Sequence, residues 1–380
     1  MLVCSAESRG TGRVARGRMV ERPSGLPTVD GEGGRELWRA AGGGHSVGVR
    51  SDFFRLRCWA AVMTLLYYDP VFLQHNTGHH PESADRLVHI MAHLTHTGLD
   101  RQCEIPEWEP ADRTLLQRVH HARYIDSVER FASRGGGHIE ADTVVSRESF
   151  RAATVAAGAV ADATRRVVRG TARQALCLVR PPGHHAVELS AMGFCLFNNV
   201  AVAAKLALAE LELDRVLIVD WDVHHCNGTQ AAFWDNEQVG VFSIHRSPFY
   251  PGTGDEDETG EGQGLGTTRN LAIEYGTPRQ EYVRRFTDEL GEFADRIRPQ
   301  LVLVSAGFDT HRMDPVGSLD LEDEDFATLT RCVLDVAAQH AGGRIVSALE
   351  GGYNLQVVPG SIEVHLRSLL GADVTSTQSQ

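Results

Sequence analysis

Two adjacent histidines, His184 and His185, follow the apolar run Ala175–Val179 through Arg180-Pro181-Pro182-Gly183. Pro-Pro-Gly makes a rigid turn, so the imidazoles are presented at a strand end instead of being buried along a helix. Imidazoles placed in this way suit proton transfer near neutral pH. A second cluster, Asp220-Trp221-Asp222-Val223-His224-His225-Cys226-Asn227, closes the run Val216–Asp220. Alternation along the extended backbone puts Asp220, Asp222 and His224 on one side of it. Such groups share a buried face only when a cation or a proton network holds them. Carboxylate and imidazole donors suit zinc, and two Asp with one His can equally hold iron(II). The competing assignment for Asp222 is a helix N-cap.

Two further clusters also sit at the ends of apolar runs. Ser305-Ala306-Gly307-Phe308-Asp309 places Asp309 to complete a metal shell from a neighbouring strand. Asp314, just before Pro315, reads as turn chemistry. In Glu350-Gly351-Gly352-Tyr353-Asn354, two glycines let the backbone turn sharply and deliver a tyrosine hydroxyl into a cleft.

The elements that must position these groups alternate along the chain. Strands are expected at Thr64–Tyr68, Ala175–Val179, Val216–Asp220, Val239–Ile244, Leu301–Ser305 and Ile345–Leu349. Each is a nearly continuous apolar run, the pattern of parallel strands covered on both faces. Helical spacing recurs over Phe150–Arg169, Asn199–Leu213 and Arg279–Arg298. The alternation predicts one α/β domain with a parallel sheet, whose chemistry collects at the carboxyl ends of the strands.

Composition narrows the function classes. A formal net charge of −13 argues against direct nucleic-acid binding, which needs a basic face, but it admits cationic substrates. Seven cysteines, odd in number and without a CxxC pair, point to a reducing cytoplasm instead of a disulfide framework. No apolar run is long enough to span a membrane, and the N-terminus has no signal-peptide core. Residues 1–62 read as a disordered Arg/Gly-rich extension without apolar periodicity. Its arginines Arg9, Arg13, Arg16, Arg18 and Arg22 could make a basic arm or a targeting peptide. Alternatively, translation starts at Met63, ahead of the folded domain expected over 63–370. Residues 371–380 read as a flexible tail.

The four clusters, in this order, resemble the histone deacetylase superfamily, which includes acetylpolyamine amidohydrolases and acetoin-utilisation proteins. Trp221, Asn227 and the Glu350–Asn354 run resemble its class II branch. Tyr68-Asp69, His80-Pro81-Glu82 with Arg86, His120 with Tyr124, and Gly193-Phe194-Cys195 fit the same family. The resemblance covers the chain from about Leu65 to Leu370. It implies the arginase/deacetylase-like three-layer α/β fold, with a central, mainly parallel eight-stranded sheet.

By that resemblance Asp222, His224 and Asp309 would hold a catalytic zinc and leave room for a water and the substrate carbonyl. His185 would be the general base and then acid, oriented by Asn227, while His184 would be its electrostatic partner, oriented by Asp220. Tyr353 would donate to the developing oxyanion. Phe194 and Tyr250 would wall the channel, with Gly193 near the scissile amide and Val316 in the gatekeeper position. A structural potassium ion would be held by Asp220, Asp222, His224, Ser243 and Ile244. Asp142 is the candidate for the acid at the rim. The family usually has Gly where this chain has Cys226; if that position requires a positive φ, the side chain adds strain. A thiol near zinc could also act as a soft ligand or a redox brake.

The implied reaction is hydrolysis of an acetylated amine. Apolar Val316, in place of the Glu of polyamine-selective relatives, favours acetyl-lysine of a protein over an acetylpolyamine or other small amide. An arginase-type dinuclear site would need an acid where the chain has His311. A non-catalytic acyl-lysine binder is the alternative from a different functional class.

Overall fold

The computed structural model describes residues 63–372 apart from Ser318. The extension assigned to 1–62 therefore lies outside the described residues, as does the tail beyond Ala372. Among the described residues there are nine strands: β1 (Thr64–Tyr67), β2 (Gly137–His138), β3 (Val144–Val145), β4 (Gln174–Cys177) and β5 (Val216–Asp220), then β6 (Val239–Arg246), β7 (Thr268–Ile273), β8 (Leu301–Ala306) and β9 (Ile345–Leu349). The helices are α1 (Ala84–Thr97), α2 (Arg113–Leu116), α3 (Ala122–Ser133), α4 (Ser149–Val168) and α5 (Asn199–Glu210), then α6 (Asn227–Phe233), α7 (Arg279–Ile297), α8 (Asp323–His340) and α9 (Val358–Leu369).

Seven strands pair in the order β1-β4-β9-β8-β5-β6-β7, all parallel, while β2 and β3 form a separate antiparallel ribbon. Every residue of β5, β8 and β9 is buried, so side chains on both strand faces pack beneath helices. Burying each Val, Leu or Ile there contributes roughly 1.5–3 kcal/mol, which explains the unbroken apolar runs.

The sheet has seven strands among the described residues, not the eight implied by the resemblance. Outside β1, pairing among the described residues stops at one bridge between Leu65 and Glu104. Leu66 N–H donates to the Glu104 carbonyl at 2.8 Å and Glu104 N–H donates to the Thr64 carbonyl at 3.1 Å. Pro106 and Pro110 follow, and without N–H groups they cannot extend a ladder. Strand β7 was absent from the sequence expectation. Its Thr-Arg-Asn-Leu-Ala-Ile sequence mixes polar and apolar residues, as an outermost strand can.

The strand order matters for the site. β4, β9, β8 and β5 are contiguous, so the four polar clusters leave the carboxyl ends of four neighbouring strands. They converge over the middle of the sheet.

Candidate active site

Donor atoms of Asp222, His224 and Asp309 lie within 4.8 Å of one another, and all three residues are buried. They do not meet by strand alternation, because β5 ends at Asp220. Instead, Asp222 N–H donates to Asp220 Oδ1 at 3.0 Å and His224 N–H donates to Asp222 Oδ1 at 3.0 Å. Two successive turns closed by aspartate side chains thus bring the groups together. Asp222 is not a helix cap: α6 begins at Asn227, with Cys226 in the N-cap position.

Asp309 enters from the end of β8, and its Oδ1 accepts the Val223 N–H at 2.9 Å. Its Oδ2 is buried and has no hydrogen-bond partner in suitable geometry among the described residues; His224 Nδ1 lies 3.3 Å away. His224 Nδ1 is also 2.9 Å from Asp222 Oδ1. Gly307 and Gly351 make room for this cluster. A Cβ on Gly307 would collide with Asp222, and one on Gly351 with the carboxylates of both Asp309 and Asp222. Burial, followed by the charge of Asp222, pushes the Asp309 carboxyl up to about 7. Burial would raise Asp222 too, but His184 and His224 outweigh it and hold its carboxyl far below the usual range. An orphaned carboxylate oxygen beside a second carboxylate and an imidazole fits a divalent cation with an open position.

The histidine pair stands beside this cluster. The rings of His184 and His185 are 4.0 Å apart, and that of His185 is 5.7 Å from that of His224. His184 Nδ1 lies 3.0 Å from Asp220 Oδ2, and His185 Nδ1 lies 2.6 Å from Asn227 Oδ1. Burial would lower His184, but the charges of Asp220 and Asp222 overcome it and lift the ring to about 10. His185 goes the other way, driven far below its ordinary value by burial and then by the charge of His184. The two rings are thus biased in opposite directions, His184 toward its charged form and His185 toward its neutral form. Glu350 supports the turn that carries them, accepting the N–H groups of Gly183 at 2.7 Å and His184 at 3.2 Å.

A cavity of about 240 Å³ opens onto this centre, bordered by His185, His224 and Tyr353 at its inner end. Gly193, Phe194, Tyr250 and Val316 line it, and Asp142 stands at its edge as the candidate rim acid. Phe194 has φ +70°, a conformation that costs a non-glycine residue of order 1–3 kcal/mol. Its N–H is anchored on Thr143 Oγ1 at 3.0 Å, and its ring meets Tyr353 edge-on at 5.7 Å. Arg86 braces the Glu-Gly-Gly-Tyr turn from behind. It donates to the carbonyls of Gly352 and Glu350, each at 2.6 Å, with its guanidinium 4.9 Å from the centre of the Tyr353 ring. A larger groove of about 1040 Å³ runs beside residues 105–112 and includes none of these groups.

Phe249 was missed by the sequence reading. Its ring stacks on His224 at 5.1 Å, and the residue lines the cavity. Its place beside Tyr250, between Pro248 and Pro251, was the available signal. Asp314 does more than close a turn, because it also binds the Tyr353 backbone.

Of the residues assigned to a monovalent cation, Asp220 and Ser243 face each other across β5 and β6, with Ile244 next in line. Ser243 Oγ lies 2.9 Å from His245 Nδ1. Cys226 has φ −79°, so no left-handed conformation strains it. It is fully buried and stands outside the Asp222–His224–Asp309 donor cluster. His311 is buried against Phe326 and its Nδ1 accepts the Met313 N–H at 3.1 Å.

A family model described as "Histone deacetylase domain" matches residues 80–369. A histone deacetylase-like amidohydrolase from Pseudomonas aeruginosa is 36% identical over 281 residues, 74% of this chain and 74% of that protein. A probable deacetylase from Archaeoglobus fulgidus is 34% identical over 298 residues, 78% of this chain and 82% of that protein. Among solved structures, the HDA15 HD domain superposes with a TM-score of 0.77 at 36% identity, covering 83% of this chain and 90% of that one.

Proposed function

The chain belongs to the histone deacetylase family, and we propose on that footing that it is a zinc-dependent amidohydrolase releasing acetate from an acetylated amine. The observation that carries the reading is the orphaned Oδ2 of Asp309, set among Asp222, His224, the two imidazoles and Tyr353. Asp222, His224 and Asp309 would hold the metal, which when bound supplies Lewis-acid polarisation and a more acidic water.

The chain's own groups do the rest. His185, kept neutral and with Nδ1 engaged by Asn227, takes a proton from the attacking water and later gives one to the leaving amine. His184 keeps its proton against Asp220 and contributes positive charge beside the reacting carbon. The Tyr353 hydroxyl donates to the developing oxyanion. Phe194 and Tyr250 flank the alkyl chain, and the Gly193 carbonyl faces the amide nitrogen.

The favoured substrate is acetyl-lysine of a protein, because Val316 offers no charge to match the second amine of a polyamine. Residues 63–370 are the catalytic domain in this reading, with 1–62 and 371–380 accessory to it. A structural potassium ion at Asp220, Asp222, His224, Ser243 and Ile244 belongs to the same proposal. No helix among the described residues is long and apolar enough to cross a membrane. The five described cysteines are all unpaired, which supports a cytoplasmic setting.

Metal analysis combined with deacetylation assays of the wild type and Tyr353→Phe tests the enzyme reading. The variant should keep its zinc and lose about a hundredfold to a thousandfold in rate. Two equally inert, zinc-loaded proteins would sink it. Comparing kcat/KM for an acetyl-lysine peptide and N-acetylputrescine tests the substrate preference, which a strong bias to putrescine would reverse.

A further inference from the structure

Asn227 meets His185 through its side-chain oxygen, with Oδ1 2.6 Å from Nδ1. An amide has nearly the same shape when rotated by half a turn, so its orientation is decided by what each end meets. With the oxygen toward the ring, Nδ1 of His185 must carry the hydrogen, and Nε2 keeps the lone pair that a base needs. With the amide reversed, its NH₂ would face Nδ1 and the ring hydrogen would move to Nε2. That tautomer cannot accept a proton at Nε2.

The other end of the amide therefore governs the base. There Nδ2 donates to the sulfur of Met192 at 3.3 Å and to the carbonyl of His185 at 3.5 Å. Both partners only accept, so the reversed amide would set its oxygen against two acceptors. The carbonyl contact is at the limit of hydrogen-bond length, whereas a sulfur acceptor is bonded at longer distances. Met192 is itself fixed: its N–H donates to the Cys195 carbonyl at 3.3 Å and its carbonyl accepts the Cys195 N–H at 2.9 Å. The same turn carries Gly193 and Phe194 into the channel wall.

We propose that Met192 is a positioning residue whose thioether sulfur locks the Asn227 amide and thereby sets the tautomer of His185. The catalytic consequence rests on the deacetylase reading; the tautomer assignment does not.

Met192→Leu keeps the volume and removes the acceptor. Met192→Gln returns an acceptor at similar reach. On the full chain labelled with ¹⁵N-histidine, the His185 signals are identified by their loss in His185→Asn. Wild type should show hydrogen on Nδ1, and Met192→Leu should populate the Nε2–H form. In parallel, Met192→Leu should lose about fivefold in kcat with KM unchanged, the worth of one modest hydrogen bond. Met192→Gln should recover most of both readouts. In an Asn227→Ala background, Met192→Leu should cause no further loss. A wild-type tautomer in Met192→Leu, or an equal loss of kcat in both backgrounds, would overturn the proposal. A zinc-loaded wild type inert on every acetylated substrate would defeat the functional reading, leaving the nitrogen spectra to decide on Met192.

Discussion

The carboxylate of Asp314 holds the backbone of Tyr353, whose N–H donates to Asp314 Oδ2 at 2.7 Å. The other oxygen accepts the N–H groups of Val316 at 2.8 Å and Gly317 at 3.0 Å. One buried side chain thus ties the phenol to a residue of the channel wall. Asp314→Ala would strand these N–H groups, each at a cost of about 1–3 kcal/mol if it stays buried. We expect kcat to fall by about tenfold or more while zinc content is retained, because the phenol loses its fixed position. Steady-state kinetics with metal analysis measures both, and an unchanged kcat would remove Asp314 from this role.

The orphaned oxygen of Asp309 makes a prediction about metal removal. A cation that binds the folded state stabilises it in proportion to the logarithm of its concentration over Kd. Chelation should therefore lower the Tm of wild type, and added zinc should restore it. In Asp309→Asn the carboxylate charge is gone, so the Tm should no longer respond to zinc. A zinc response of the wild-type size in that variant would exclude Asp309 as a ligand.

Acid stability follows from histidines remote from the chemistry. Burial lowers His120 to about 4 and His365 to about 3, while unfolded histidine titrates near 6.5. The folded state thus refuses protons that the unfolded chain accepts. The resulting stability is complete above pH ~6.5 and is lost as the pH falls toward 3–4. The urea midpoint should decline between pH ~6.5 and ~4. His365, bonded to Thr330 at 2.7 Å and Ser347 at 2.9 Å, gives the control. His365→Gln should be less stable at neutral pH yet show a shallower decline; an unchanged slope would exclude His365 as a contributor.

Cys226 is unstrained, buried and outside the donor cluster, so its thiol should not act as a brake. Burial also pushes that thiol well above its ordinary range, away from the reactive thiolate. Cys226→Ala should cost about 1 kcal/mol of stability and leave kcat within about twofold. Thermal unfolding and kinetics before and after peroxide treatment check this. Loss of peroxide sensitivity in Cys226→Ala, with sensitivity present in wild type, would restore the redox reading.

The fold was legible where burial is two-sided. Val216–Asp220 and Ile345–Leu349 are strands with the expected bounds because both runs are buried throughout and apolar but for Asp220, bonded to His184, and Ser347, bonded to His365. The outermost strand β7 carries Arg269 and Asn270, which broke the apolar signal. Around the site, residue types revealed which groups meet but not how. Asp220, Asp222 and His224 cluster through side-chain-to-backbone hydrogen bonds, which do not follow strand periodicity. Phe249 on His224 and Met192 behind Asn227 are contacts across the fold, so local sequence pattern could not specify them.

The lone bridge from Leu65 to Glu104 also bears on self-association. An open strand margin is a template on which another chain can add a strand. Here a segment with prolines at Pro106 and Pro110 crosses that margin after one bridge. Among the described residues, that segment therefore occupies the part of the β1 margin where a second copy would have to pair, and its prolines offer no N–H to continue a ladder.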